Sequence, residues 1–282
     1  SSFQRVICVA MSPQSNGIPP LDGWWGPPTA TIDWCEENYV VTPYIAEFFN
    51  SLSSLLISAA GLLPLFLHRS LWHLLETRFL LAFLSVSVVG FGSVAFHGTL
   101  QFRHQMWDEV PMLWTVVVIL YCLLEQHTRE PRFGLPLSLV FAAYALFATW
   151  ATSQQDGSAQ WFSFHTLFAA CELPALFLVW RFFAGLDSSE VALRTLMKRG
   201  FFAYLFAIVV WLTDLNFCGQ LQLLPAYSYW NLHAFGWHML TSCGLYAMML
   251  GIWYHRLKCV LEAPVRLVGL FPPRLVLDEK KA

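Results

Sequence analysis

The chain has 282 residues, of which 57% are hydrophobic and only 12% are charged. Soluble domains carry about 25% charged residues, so this composition is typical of a protein that faces lipid. The net charge of −2 gives no sign of a nucleic-acid partner, and seven cysteines exclude a dense disulfide scaffold while leaving room for one bridge.

The first part of the chain, residues 1–32, is rich in proline, glycine and serine. Its one apolar stretch, Val6 to Ala10, is far too short to cross a membrane and is short for a signal peptide. We therefore expect residues 1–32 to form a flexible N-terminal arm.

Seven apolar segments follow, each close to the length of about 20 residues that a helix needs to cross a bilayer. They cover residues 45–67, 79–100, 108–126, 134–152, 159–182, 200–218 and 232–254. The connections are short and there is no internal repeat, so we predict one bundle over residues 33–258 and a tail over residues 259–282.

Lysine and arginine predict how this bundle lies in the membrane. With seven spans, the N-terminal arm and every second loop share one side, and that side holds only Arg5 and Arg103. The other 14 of the 16 basic residues lie on the opposite side, which the positive-inside rule assigns to the cytosol. The predicted fold class is an all-α membrane protein, a seven-transmembrane helix bundle with a lumenal N-terminus and a cytosolic C-terminus.

Polar side chains gather where three spans reach the predicted lumenal side. The second span ends with Ser93 and His97, the third begins near Asp108, and the seventh begins with His233 and His238. Taken singly, the histidines could be interfacial residues, Asp108 a helix cap and Ser93 a packing residue. Their convergence at one depth instead favours a functional site, since three imidazoles with one open position make a catalytic zinc site.

An acidic segment lies just before the first span. It runs from Asp33 through Glu36 to Asn38, and Glu47 follows near the start of the span. Carboxylate and amide oxygens suit calcium, while a solvated acidic loop with helix-cap character is the alternative. Cys35 and Cys218 are both on the predicted lumenal side and could form a bridge, but Cys8 lies there too and leaves the pairing open.

At these residues the sequence resembles the alkaline ceramidases, and its lead-in resembles their phytoceramidase-like branch. The motifs that carry the resemblance are Trp25-Gly26-Pro27, Asp33-Trp34-Cys35-Glu36-Glu37-Asn38-Tyr39, Ile45-Ala46-Glu47-Phe48, Gly92-Ser93-Val94-Ala95-Phe96-His97, Asp108-Glu109 and the histidines of the seventh span. The similarity runs from about residue 24 to residue 255.

The resemblance implies a multi-pass enzyme of the endoplasmic reticulum or Golgi membrane that hydrolyses ceramide, including phytoceramide, to a sphingoid base and a fatty acid. It implies catalytic roles for Ser93 and Asp108 and zinc ligands at His97, His233 and His238. It also implies a disulfide between Cys35 and Cys218, and a calcium site built from Asp33, Trp34 through its backbone carbonyl, Glu36, Asn38 and Glu47.

One feature departs from the family pattern, in which the two histidines of the seventh span are four residues apart. Here His233 and His238 are five apart, which in an α-helix leaves their side chains about 140° apart, against about 40° for four. A π-bulge near Gly236 would bring them to one face, and His104 is the substitute ligand if it does not.

The main alternative function is a zinc-containing receptor of the adiponectin and progestin type, which shares seven spans and a histidine site. Its adiponectin-receptor branch has a cytosolic N-terminus and lacks the acidic motif. A transporter or channel would need charged residues within several spans; the candidates are His165, Glu172 and Asp214, for which paired polar packing is the favoured interpretation. A retinal protein is excluded because none of the four lysines lies within a span.

Overall fold

The computed structural model describes residues 23–269 and 272–278, and within these ranges the chain is mostly helical. The α-helices are α1 (Phe48–Leu67), α2 (Thr77–Thr99), α3 (Phe102–Leu124), α4 (Gly134–Thr152), α5 (Gly157–Ala184), α6 (Val191–Leu221) and α7 (Met239–His255). Short 3₁₀-helices cover Arg69–Leu74 and Tyr227–Tyr229, and π-helical turns cover His233–His238 and Arg256–Val260. An antiparallel hairpin of β1 (Val265–Val268) and β2 (Arg274–Leu277) completes the described part.

Six of these helices, α1 to α6, are each long and apolar enough to cross a membrane. They confirm the mostly helical fold and support a multi-pass membrane protein. The seventh predicted span, 232–254, consists of the π-helical turn His233–His238 and the 17-residue helix α7. Because α7 alone is shorter than a typical span, the count of seven and the direction of the chain stay predictions.

Small polar side chains let the first two helices lie close together. Ser58 donates a hydrogen bond to the carbonyl oxygen of Ser87 (3.1 Å), and Ser87 donates to the carbonyl oxygen of Ser58 (3.3 Å). Helix α4 is the opposite case, since only Ala148 and Thr152 of its residues are buried. Small residues are typical where membrane helices pack, and an apolar exposed helix is typical of contact with lipid.

The N-terminal segment packs on the predicted lumenal end of the bundle. The backbone N–H groups of Thr29 and Ala30 both donate to the carbonyl oxygen of Leu100 at 3.0 Å. Thr31 exchanges two hydrogen bonds with the amide of Gln105, at 2.8 and 2.7 Å. Residues 23–32, which we assigned to a flexible arm, are thus held against the α2–α3 connection, and residues 1–22, with Cys8, lie outside the described residues.

The predicted cytosolic end is closed by a buried arginine and by the hairpin. Arg256 is buried and forms an ion pair with Glu76 through two contacts of 2.9 and 3.0 Å. Leu275 of β2 is also buried, and its N–H donates to Nε2 of His68 (2.9 Å). Much of the predicted tail, residues 259–282, therefore folds back onto the bundle, while Lys280 and Lys281 lie outside the described residues.

Candidate metal centre

Three imidazoles meet at the predicted lumenal end. His97, His233 and His238 are each at most 2% exposed, and they place one candidate ligand atom each within 4.8 Å of the others. Their ring centroids are 5.2, 5.2 and 4.7 Å apart. Of the histidine, cysteine and acidic residues that the structure describes, these are the ones that form such a group.

The π-helical turn is what brings His233 and His238 to the same side. A π-helix closes its hydrogen bonds five residues apart, so residues five apart lie above one another instead of diverging. Gly236 lies within the turn and packs tightly on α6, because a Cβ there would be 2.4 Å from Cγ1 of Val210. The turn thus offsets the extra residue between the two histidines.

His104, the substitute ligand, lies elsewhere. It is buried on α3 and its Nδ1 atom is hydrogen-bonded to the hydroxyl of Thr99 at 2.6 Å. Its ring packs against Trp107 with centroids 4.7 Å apart. His104 is not part of the group of three imidazoles, which is complete without it.

Ser93 and Asp108 face each other across the contact between α2 and α3. Both are buried, the Ser93 hydroxyl lies beside the Asp108 carboxyl, and Ser54 of α1 donates to the Ser93 hydroxyl at 3.0 Å. Ser93 precedes His97 by one helical turn, so both side chains lie on one face of α2. The serine and the aspartate are therefore neighbours of the imidazole group.

Each imidazole has a polar atom behind its Nδ1 nitrogen. The Nδ1 of His97 is hydrogen-bonded to Glu47, and that of His238 to the Ser53 hydroxyl at 2.7 Å. The Nδ1 of His233 faces Oδ2 of Asp214 at 3.9 Å. The Nε2 nitrogens of His97 and His238 are left for a metal, in the arrangement that orients metal-binding histidines in other proteins.

The partners Ser53 and Asp214 were not among the site residues predicted from sequence. Asp214 is recognisable in the sequence as an acid within the sixth predicted span, but nothing in its spacing connects it to His233. Ser53 is one of several serines on α1, and the rotation of that helix about its axis determines which of them faces His238. A lone acid in an apolar segment was the one available signal.

The acidic segment forms a second cluster next to the imidazoles. Glu47 accepts the backbone N–H of Trp34 at 3.0 Å, and the amide of Asn38 donates to both oxygens of Asp33 at 3.3 and 3.1 Å. Glu36 accepts the backbone N–H groups of Phe49 (2.7 Å) and Asn50, and so caps the start of α1. The segment has the expected helix-cap character, but it is not a solvated loop, because Glu36 and Glu47 are buried.

The acidic cluster has the properties of a cation site. Burial and the nearby Glu47 charge raise the pKa of Glu36 to about 8, and the same two causes raise the pKa of Asp33 well above its usual value. Oδ1 of Asn38 is buried and has no hydrogen-bond partner within the described ranges. Crowded carboxylates and an unused amide oxygen fit calcium, a hard cation with oxygen ligands.

A disulfide and a ring contact tie the acidic segment to the surroundings of the imidazoles. Cys35 and Cys218 form a disulfide with Cα atoms 5.2 Å apart, which joins the segment to the last turn of α6. The ring of Trp34 stacks over the His233 ring with centroids 4.1 Å apart. The acidic segment therefore lies beside both candidate metal positions and is anchored between them by the disulfide and the ring contact.

Comparisons with known proteins agree over nearly the whole chain. The model of the Ceramidase family matches residues 26–267. Alkaline ceramidase 3 of Mus musculus is 29% identical over 268 residues, covering 92% of this chain and 97% of the relative. A putative alkaline ceramidase of Dictyostelium discoideum is 31% identical over 280 residues, covering 88% of this chain and 92% of the relative. An alkaline ceramidase of Saccharomyces cerevisiae is 28% identical over 252 residues, covering 80% and 76%. This chain is therefore a member of the Ceramidase family.

Proposed function

We propose that this chain is a zinc-dependent intramembrane amidase that hydrolyses ceramide, including phytoceramide, to a sphingoid base and a free fatty acid. Family membership and the alkaline ceramidases among its relatives support the reaction. The observation that carries the proposal is the group of three buried imidazoles beside Ser93 and Asp108.

His97, His233 and His238 would hold the zinc. The residues fit this metal, because three neutral imidazoles leave one coordination position open, as catalytic zinc sites require. The Nδ1–H groups of His97 and His238 donate hydrogen bonds to Glu47 and to the Ser53 hydroxyl, which keeps the Nε2 nitrogens of these two ligands turned inward. When bound, zinc would lower the pKa of a water molecule to about 7 and polarise the substrate carbonyl.

Asp108 and Ser93 would handle the proton and the developing charge. The water oxygen bonds to the amide carbon while the Asp108 carboxylate accepts a proton from it. The Ser93 hydroxyl donates a hydrogen bond to the carbonyl oxygen as that oxygen gains negative charge. Asp108 then delivers the proton to the amide nitrogen, the C–N bond breaks, and the fatty acid and the amine leave.

Asp33, the Trp34 backbone carbonyl, Glu36, Asn38 and Glu47 would bind calcium. Calcium would displace protons from these carboxyls, whose pKa values burial raises, and would balance the charge of the carboxylates that form. The role of calcium would be to order the acidic segment beside the zinc, because Glu47 contacts both this segment and His97.

The proposed setting is the membrane of the endoplasmic reticulum, the Golgi or both, with the N-terminus in the lumen and the tail in the cytosol. The apolar helices support a membrane location, and the distribution of basic residues supports the direction. A glycosylation acceptor added before residue 23 tests it: modification is expected, and a tag that stays unmodified while a C-terminal tag is modified would reverse the direction.

The direct test compares metal content and turnover in purified variants. His238→Ala should lose both zinc and fatty-acid release from ceramide, whereas Asp108→Ala should keep zinc and lose turnover. His104→Ala is the matched control, a buried histidine outside the group, and it should keep its zinc. Wild-type turnover in Asp108→Ala, or zinc retained in His238→Ala, would contradict the proposed role of that residue. The comparisons give no support to the receptor alternative, since the matching family is Ceramidase.

A further inference from the structure

Asp214 is a buried acid that the proposed reaction does not use. It lies on α6 and is 1% exposed. Its Oδ2 atom is 3.9 Å from Nδ1 of His233, and neither atom has a hydrogen-bond partner within residues 23–269 and 272–278. Buried polar atoms are nearly always paired, so two unpaired atoms that face each other call for an explanation.

The Asp214 carboxylate is held firmly in this position. Its Oδ1 atom accepts a hydrogen bond from the Tyr227 hydroxyl at 2.7 Å. That hydroxyl in turn accepts the backbone N–H of Leu232, at 3.0 Å, the residue directly before His233. The same aspartate is four residues from Cys218, whose disulfide fixes this end of α6. The carboxylate and the backbone of His233 are thus braced against each other.

The His233 ring, by contrast, is not fixed by a hydrogen bond at Nδ1. Its face is covered by Trp34, but its Nδ1 atom lacks the hydrogen bond that His97 and His238 make to Glu47 and Ser53. A distance of 3.9 Å is about 1 Å longer than an N–H···O hydrogen bond, and a rotation of the imidazole would close that gap. Asp214 therefore stands where the third imidazole would find the partner that the other two already have.

We propose that Asp214 is the positioning residue of His233, accepting a hydrogen bond from its Nδ1–H so that Nε2 faces the zinc. This inference rests on the proposed zinc site and adds an outer carboxylate to it. Fixing the protonated nitrogen sets both the direction and the basicity of the ligand. Such a hydrogen bond matters most at His233, because this ligand begins an irregular π-helical turn and is not held by regular α-helix on its N-terminal side.

The experiment compares Asp214→Asn, Asp214→Ala and Tyr227→Phe with wild type in full-length purified protein. Three quantities are measured: bound zinc by mass spectrometry, the rate of zinc loss to a chelator, and the visible spectrum after replacement of zinc by cobalt. The cobalt bands report the ligand field directly, and thermal unfolding reports stability separately. Glu172→Gln, which removes another acid from the bundle, is the matched control.

We expect Asp214→Asn to lose zinc about 10- to 100-fold faster and to shift the cobalt bands, with a larger effect in Asp214→Ala. Tyr227→Phe should change the rate of zinc loss and the cobalt bands in the same direction by a smaller factor. It removes the hydroxyl that holds the Asp214 carboxylate but keeps the carboxylate itself. A purely structural role predicts no change in Asp214→Asn, since asparagine keeps the volume and can still accept the Tyr227 hydroxyl.

The outcomes separate this inference from the zinc site itself. Wild-type zinc loss and cobalt bands in both Asp214→Asn and Tyr227→Phe, together with loss of zinc in His238→Ala, would overturn the role of Asp214 and leave the site standing. Zinc retained in His238→Ala would overturn the zinc site first. If Asp214→Ala does not fold, the other two variants still decide.

Discussion

The contact between α2 and α3 at Gly92 gives the sharpest test of how the site is built. A Cβ atom at this position would lie 1.8 Å from the carbonyl oxygen of Trp107 and 2.9 Å from the backbone nitrogen of Asp108. Ordinary contacts begin at 3.4 Å, so Gly92→Ala forces the two backbones apart by roughly 1.6 Å, the difference between 3.4 and 1.8 Å. No side-chain rotation relieves this overlap, because the closest atoms are backbone atoms.

The overlap lies between Gly92 and Trp107, which directly precede Ser93 and Asp108. Separating the two backbones there would therefore separate Ser93 from Asp108. A misplacement of about 1 Å can cost about 100-fold in rate, so we expect Gly92→Ala to lose at least about 100-fold in fatty-acid release from ceramide. Helix propensity works in the opposite direction, since alanine stabilises a helix by about 1 kcal/mol relative to glycine. Zinc content should stay close to wild type, because none of the three imidazoles belongs to α3.

The assay is turnover of purified protein alongside zinc content and thermal unfolding. Gly98→Ala is the matched control on the same helix, where an added Cβ would be 3.6 Å from Oγ of Ser51, an ordinary contact. Near-normal turnover in Gly92→Ala, with normal folding, would refute the claim that the closeness of α2 and α3 sets the position of Asp108.

Three further predictions concern the hydrogen bonds around the site and the tail. Ser53→Ala should weaken zinc binding about 10- to 100-fold in a chelator competition, because it removes the partner of His238. Apparent calcium affinity should rise from about pH 6 to about pH 9 in calorimetric titrations, because burial raises the pKa of Glu36 to about 8 and calcium must displace that proton. Burial lowers the pKa of His68 below 6.5, and its neutral Nε2 accepts the Leu275 N–H, so docking of the hairpin is stable above pH 6.5 and weakens as pH falls below it. Hydrogen exchange of the hairpin should therefore be faster at about pH 5 than at about pH 7.5.

Controls make these predictions specific. Ser85→Ala removes a serine whose side chain, among the described residues, bonds within its own helix to the Ala82 carbonyl oxygen, and it should leave zinc binding unchanged. Calcium affinity that is independent of pH would contradict the assignment of Glu36 as a ligand. A hairpin that exchanges equally at both pH values would show that His68 does not hold it.

Hydropathy predicted the membrane helices well because each of them must cover itself with apolar side chains. The ends were less accurate where a helix continues beyond the apolar stretch. The sixth span was predicted at residues 200–218, but α6 covers Val191–Leu221, because the charges of Arg194 and Lys198 interrupt the apolar stretch in its first turns. The strands β1 and β2 were missed because four-residue strands depend on their packing against the bundle.

The side chains that meet at the candidate site were predictable, but the arrangement around them was not. Histidine spacing led to the π-helical turn, because two side chains cannot face one metal from an α-helix when they are five residues apart. The partners Ser53 and Asp214 depend on how α1 and α6 rotate against the turn, and one sequence holds no record of that rotation. The helix cap formed by Glu36 likewise requires the fold of the whole segment.

The disulfide between Cys35 and Cys218 joins positions that are 183 residues apart, and the imidazoles of His97 and His233 also come from opposite halves of the chain. During synthesis, the ribosome therefore delivers the acidic segment long before its anchor exists. Until the segment that follows α6 has been made, Glu36 lacks its contact with Asn231, and His97 lacks the two imidazoles that it meets in the folded protein. With the proposed function, the order of residues along the chain would delay hydrolysis until α7 has been made.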